Sequence, residues 1–133
     1  MIAVDTSAII AILYNEPGAE ALTEILMADP RPCIGAPTLF EVRLVMGGRQ
    51  QREGIADADA LLAKTGTETI DWTENLADLA TEAFLRFGKG QGHPAQLNFG
   101  DCMAYALAKA LDVPLLHVGD DFALTDIPSA LTQ

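Results

Sequence analysis

The chain has 133 residues, of which 50% are hydrophobic and 20% charged. This size and composition suit one globular domain over residues 1–133 and exclude a disordered or fibrous chain. The formal net charge is −11, from 19 acidic and 8 basic residues. That balance disfavours binding of a polyanion, unless bound cations or a basic partner neutralise part of the charge.

No segment has the features of secretion or membrane insertion. The apolar stretch 2–13 contains Asp5 and lacks a preceding basic region, and no apolar run reaches the length that spans a bilayer. The two cysteines, Cys33 and Cys102, do not form a zinc-binding pattern and are expected to be reduced core residues. We therefore predict a soluble, cytoplasmic protein without a membrane partner.

The first half of the chain predicts two short strands, each followed by helices. In chain order these are a buried strand at 2–5, a helix at 8–14, a turn at 15–18, a helix at 19–27 and a strand at 33–35. Pro37 suits the first turn of the next helix, and Gly47 and Gly48 predict its break or end. Residues 55–64 predict another amphipathic helix.

The second half continues the alternation. It predicts a strand at 67–70, a helix at 72–86, a glycine-rich loop at 87–94, a helix at 98–111 capped by Asn98, and a strand at 113–118. Alternating strands and helices indicate an α/β fold with a mostly parallel sheet covered on both faces. In such folds the functional site lies beyond the carboxyl ends of the strands.

Acidic side chains fall where such a fold brings residues to one edge of its sheet. Asp5 ends the first strand, while Glu41 and Asp101 lie near the starts of two helices, and residues 120–121 are two aspartates after the last strand. Clustered carboxylates raise one another's pKa unless a cation joins them, and oxygen ligands favour Mg²⁺ or Mn²⁺. The pattern predicts an acidic metal site suited to phosphodiester hydrolysis.

Each of these acids also has a purely structural interpretation. Asp5 is a suitable N-cap for the helix that follows it, and Asp101 suits the N-terminal end of a helix dipole. Glu41 fits a solvated helix face, and the aspartates at 120–121 fit a plain turn. Spacing alone leaves both interpretations open.

Four segments resemble the motifs of PIN domains. They are MIAVDTSA at 1–8, PTLFEV at 37–42, LNFGDCMAYALA at 97–108, and LLHVGDDF at 115–122 followed by TDI at 125–127. The resemblance covers residues 1 to about 127, with the motifs in the order and spacing of that family. The loop FGKGQGHP at 87–94 resembles one branch of bacterial VapC toxins.

The resemblance implies a single PIN domain, a three-layer α/β/α sandwich, with metal-dependent endoribonuclease activity. The metal ligands would be Asp5, Glu41, Asp101 and Asp121, which matches the family position better than its neighbour Asp120. The cofactor would be Mg²⁺ or Mn²⁺. Thr6 and Ser7 match small hydroxyl positions that could orient a ligand or water.

The resemblance also implies partners. The substrate would be structured RNA, often tRNA, and a VapB-type antitoxin would wrap the toxin and block its acidic site. Homodimers and larger toxin–antitoxin assemblies are expected, and the apolar side chains of the first two helices suit either a dimer face or the core. Candidate RNA contacts, each of which also fits a solvated or turn position, are Arg43, Arg86, Lys89 and His93. Trp72 is interpreted as packing rather than as a base-stacking platform.

Three other classes of protein are alternatives to a nuclease. A receiver domain needs an acidic pair after the first strand and a lysine near the last, whereas Asp5 is followed by Thr6 and no lysine follows Lys109. A haloacid-type phosphatase needs an aspartate where Ser7 stands. A non-catalytic binding module remains an alternative, which nuclease activity of the partner-free protein would exclude.

Overall fold

A computed structural model describes residues 1–132 of the chain. Its elements are β1 (Ile2–Val4), α1 (Thr6–Leu13), α2 (Ala19–Ala28), β2 (Pro32–Gly35), α3 (Ala36–Lys64), β3 (Glu68–Ile70), α4 (Glu74–Phe87), α5 (Phe99–Leu111), β4 (Leu115–Leu116) and a 3₁₀ turn at Ala130–Thr132. None of the helices within these residues is both long and apolar enough to cross a membrane.

The four strands form one parallel sheet in the order β3-β2-β1-β4. Ala3 of β1 pairs with Cys33 of β2 on one side and with Leu115 of β4 on the other. Cys33 pairs in turn with Glu68 of β3. Because all strands run in the same direction, the residues that follow their carboxyl ends meet at a single edge of the sheet.

The sheet separates two apolar cores. Successive strand residues point to opposite faces, so Ala3 and Leu115 pack with side chains of α4 and α5. Val4 and Leu116 pack on the other face with side chains of α1, α2 and α3. The predicted α/β/α sandwich with a parallel central sheet is confirmed.

The apolar side chains of the first two helices contribute to this core. Ile9, Leu22 and Leu26 are at most 2% exposed, which supports the core interpretation of these positions. Cys33 and Cys102 are likewise buried and unpaired with each other, as expected of core cysteines.

The predicted break between two helical segments is present but falls a few residues later than Gly47 and Gly48. Both glycines are helical, and the non-helical residues are Gln50 and Gln51, the latter with φ 56° and ψ −144°. A Cβ on Gly54 would lie 2.4 Å from the carbonyl oxygen of Met46. Absence of a side chain at Gly54 therefore lets the second half of α3 turn back closely against the first.

The last strand is shorter than the predicted 113–118. Only Leu115 and Leu116 pair with β1. The chain then leaves the sheet, and the backbone N–H of Val118 donates to the side-chain oxygen of Ser7 at 3.0 Å. A side-chain acceptor in the first turn of α1 thus takes the place of a further strand partner.

Two helices begin at residues other than those predicted, and side-chain caps account for both. The helix predicted at 8–14 begins at Thr6, because Asp5 already accepts the backbone N–H of Ser7. The helix predicted at 72–86 begins at Glu74, because Thr73 accepts the backbone N–H of Leu76.

Candidate active site at the carboxyl edge of the sheet

A pocket of about 370 Å³ opens at the carboxyl edge of the sheet, and five acidic side chains line it. Four were predicted and come together here: Asp5 after β1, Glu41 in α3, Asp101 in α5 and Asp121 in the loop after β4. The fifth, Glu16 in the turn after α1, was not predicted from the sequence. Asp120 is exposed and does not line the pocket.

Asp5 is held at the floor of this pocket by Ser7. Its Oδ2 accepts the backbone N–H of Ser7 at 3.0 Å and the Ser7 hydroxyl at 2.6 Å. The Ser7 hydroxyl oxygen also accepts the N–H of Val118. Ser7 thereby links the first acid to the segment that leads to Asp121.

Glu41 is positioned by a hydroxyl on one side and by a glycine on the other. The hydroxyl of Thr6 donates to Oε1 of Glu41. A Cβ on Gly100 would lie 2.3 Å from Oε2 of Glu41, so a larger residue here would displace this carboxylate from its present position. The sequence reasoning did not identify Gly100, although a glycine in the first turn of a helix is a signal of close approach.

Asp101 forms a capping box with Asn98 at the start of α5. Its Oδ2 accepts the backbone N–H of Asn98 at 3.0 Å, and its own N–H donates to Oδ1 of Asn98 at 2.8 Å. Asp101 and Asp5 therefore have both the structural role and the pocket position that the sequence suggested. Within the described residues, Oδ1 of Asp101 and Oε2 of Glu41 accept no hydrogen bond.

Burial and mutual repulsion make two of these carboxyls unusually basic. Burial raises the pKa of Asp5 to about 6, with a further increase from the charge of Glu41. Burial raises the pKa of Asp101 to about 7, and the charges of Asp5, Asp121 and Glu41 add to the increase. Such a cluster favours binding of a proton or a cation.

The donor set fits a hard divalent cation, since it consists of carboxylate oxygens whose positions are fixed by Ser7, Thr6 and Asn98. Between residues 1 and 132, no three acidic, histidine or cysteine side chains already form a chelating group.

Of the four basic residues predicted to contact RNA, none lines the acidic pocket. Arg43 makes a two-point contact with Asp59 at 3.0 and 3.2 Å. Arg86 lies 3.7 Å from Asp126 and over the ring of Phe87. These arginines are therefore engaged on other parts of the surface.

The other two predicted contacts lie in the glycine-rich loop. Nδ1 of His93 accepts the backbone N–H of Ala95 at 3.0 Å, and the imidazole packs edge-on against Phe87. His93 thus has a turn and packing role. Lys89 lines an apolar groove on α4 and α5 rather than the acidic pocket.

A basic residue at the rim of the pocket was missed by the sequence reasoning. Glu41, Val45 and Arg49 recur every four residues along α3, and all three line the pocket. The guanidinium of Arg49 lies 4.8 Å from the ring centroid of Tyr14. The i+4 spacing from Glu41 was the available signal.

Comparison with known proteins places the chain in a family. The model of the PIN domain family matches residues 2–128. The chain is 42% identical over 129 residues to VapC ribonuclease Mb2780c of Mycobacterium bovis and to ribonuclease VapC42 of Mycobacterium tuberculosis, covering 97% of this chain and 98% of each relative.

Solved structures show the same fold at low sequence identity. The M. tuberculosis toxin VapC20, described as cleaving the sarcin–ricin loop, superposes with a TM-score of 0.76 at 17% identity over 96% of both chains. A chain of a toxin–antitoxin complex from Klebsiella pneumoniae superposes with a TM-score of 0.68 at 18% identity, covering 92% of this chain and 91% of that one. The chain belongs to the PIN domain family, within its group of VapC ribonucleases.

Proposed function

We propose that the chain is a metal-dependent endoribonuclease, the toxin of a VapBC toxin–antitoxin pair. The observation that carries this proposal is the pocket in which Asp5, Glu41, Asp101 and Asp121 meet, each on a different element of the sheet edge. The curated relatives named as VapC ribonucleases support the reaction type.

The chemistry follows from the arrangement of these side chains. A bound Mg²⁺ or Mn²⁺ would lower the pKa of a water molecule and stabilise the charge that develops on the phosphate. Asp5, Glu41, Asp101 and Asp121 would hold the ion, while Thr6 and Ser7 keep two of these carboxylates in position. Arg49, which lines the same pocket, would bind an RNA phosphate.

The substrate is proposed to be structured RNA, with tRNA as the first candidate. Purified, partner-free protein should be incubated with a total tRNA pool and, separately, with ribosomes, in Mg²⁺, in Mn²⁺ and in EDTA. Discrete fragments that disappear in EDTA and with Asp5→Asn are the expected result. Intact RNA in every metal-containing sample, with protein shown to be folded, would contradict the proposal.

The partner is proposed to be a basic VapB-type antitoxin that covers the acidic pocket. A net charge of −11 provides the complementary field for such a partner. The homodimer stays a prediction, to be measured by sedimentation of the purified chain. Co-expressed antitoxin should suppress RNA cleavage, and a non-catalytic binding role would instead show a stable complex with no cleavage by the free chain.

A further inference from the structure

An apolar groove of about 540 Å³ lies on the far side of the first turn of α5 from the acidic pocket. Trp72, Phe84 and Phe99 supply aromatic rings to its walls, and Met103 lies among them. Phe99 is 80% exposed at the first position of α5. Exposed apolar side chains that adjoin one another in a groove of this size mark a binding surface.

The groove and the acidic pocket share a wall. Asn98 lines both, and Asp101 follows it by three residues in the same helical turn. A ligand in the groove would therefore lie beside Asp101 and the acidic pocket proposed to cleave the phosphodiester.

The charge of the groove differs from that of the rest of the chain. None of the described residues that line it is acidic, although the chain carries 19 acidic residues. Its one cationic lining residue is Lys89, whose backbone N–H donates to the carbonyl of Leu97 at 2.9 Å. The Lys89 ammonium makes no ion pair within the described residues. The groove thus combines aromatic faces with a free positive charge.

We propose that this groove binds an unpaired base of the RNA substrate, next to the phosphate that is cut. This inference rests on the proposed ribonuclease function. The base stacks on the aromatic side chains, mainly Phe99 and Trp72, and Lys89 contacts a neighbouring phosphate. Aromatic faces accept any base, so the groove selects single-stranded or extruded nucleotides rather than a sequence. The role of Trp72 is then wider than the packing assigned from the sequence.

The chain contains its own reporter for this proposal, because Trp72 is its single tryptophan. Tryptophan fluorescence is measured in two titrations at low ionic strength in EDTA. One adds a ten-nucleotide oligouridylate, and the other adds the same ribose-phosphate chain without bases. We expect saturable quenching with the oligouridylate only. Loss of one stacking contact in Phe99→Ala should weaken binding by on the order of tenfold. Phe40→Ala, which removes a 63% exposed ring from α3, is the matched control and should bind like the unaltered chain.

Equal responses to the two oligonucleotides, or unchanged affinity in Phe99→Ala, would overturn the proposal. The same holds if Phe99→Ala converts a sedimenting dimer to a monomer without weakening RNA binding, since the groove is then a protein interface. Removing single bases around the cut site of a cleaved RNA separates this inference from the proposed function. Cleavage that is unaffected by removal of any single base refutes base binding in the groove but not the nuclease function. Base-dependent quenching without any cleavage refutes the nuclease function but not base binding in the groove.

Discussion

The hydroxyl of Ser7 accepts a hydrogen bond from the backbone N–H of Val118, a residue 111 positions later in the chain. The same hydroxyl donates to Oδ2 of Asp5 at 2.6 Å. One side chain thus couples the first acid of the pocket to the loop that carries Asp121. Ser7 thus extends, beyond the paired residues of β1 and β4, the alignment of the two ends of the sequence at the sheet edge.

Replacing Ser7 should therefore impair the site more than the fold. In Ser7→Ala the carboxylate of Asp5 loses a donor and the N–H of Val118 loses its acceptor, with a cost of about 0.5–1.5 kcal/mol in unfolding free energy. RNA cleavage and Mn²⁺ affinity should both fall at least tenfold. Thr23→Ala removes a hydroxyl that bonds only within α2 and serves as the control. Unchanged Mn²⁺ affinity in Ser7→Ala would show that Ser7 does not position Asp5.

Gly100 should contribute to activity despite its low helix propensity. Alanine is favoured over glycine within a helix by about 1 kcal/mol, but a Cβ on Gly100 would displace the carboxylate of Glu41. We expect Gly100→Ala to lower Mn²⁺ affinity and cleavage several-fold while remaining folded by circular dichroism. Gly48→Ala, where nothing lies within 4 Å of the added carbon, should keep full activity and gain stability. Full activity in Gly100→Ala would refute the close approach.

The raised carboxyl pKa values predict an unusual pH dependence of stability without metal. The pKa of Asp101 rises from 3.8 to about 7 on folding, so its protonated form favours the folded state. Its contribution is fully present below about pH 4 and is lost as pH rises to about 7. Thermal unfolding in EDTA should therefore show the unaltered chain losing stability relative to Asp101→Asn across this range. Parallel curves for the two proteins would contradict this assignment.

Activity should show the opposite trend over the same pH range. Protonated Asp5 and Asp101, whose pKa values are about 6 and about 7, are poor metal ligands. Cleavage at fixed, subsaturating Mn²⁺ should consequently rise between about pH 6 and 8 and approach a plateau at higher metal concentration. A rate independent of both pH and Mn²⁺ in this range would exclude these carboxyls as ligands.

Arg49 should contribute to RNA binding rather than to metal binding. Arg49→Ala is expected to raise KM several-fold, and to reduce the log–log salt slope of RNA binding by about one. The Mn²⁺ affinity of Arg49→Ala should stay within about twofold of that of the unaltered protein, because Arg49 lies at the rim of the pocket and is not a metal ligand. Arg43→Ala, whose side chain pairs with Asp59, is the matched comparison. If Arg43→Ala has the larger effect on KM, the RNA path follows the other face of α3.

The sequence predicted the acids because their positions follow from chain direction. Asp5 ends a strand and Asp101 begins a helix, and parallel topology brings such ends to one edge. The contacts that aim these acids depend on tertiary packing between distant segments. Ser7 with Val118 and Gly100 with Glu41 therefore had no local signature beyond a small residue at a helix start.

The differences between the predicted and observed helices also arise from tertiary packing. Gly47 and Gly48 predicted a break in the helix, yet the break falls at Gln50 and Gln51, where no local propensity marks it. Close packing at Gly54, not backbone freedom at the glycine pair, accounts for the path of the chain. Tertiary contact outweighs the local signal at these positions.

Asp5→Asn separates the two roles of Asp5 more directly than any other substitution. Asparagine is about as good an N-cap as aspartate, so the cap of α1 is kept while a carboxylate is removed from the pocket. Mn²⁺ binding by calorimetry and RNA cleavage should be measured on the same preparations of both proteins. We predict loss of both in Asp5→Asn, with metal-free thermal stability equal to or above that of the unaltered chain. A variant that is less stable but binds Mn²⁺ and cleaves RNA normally per folded molecule would show that Asp5 is only a helix cap.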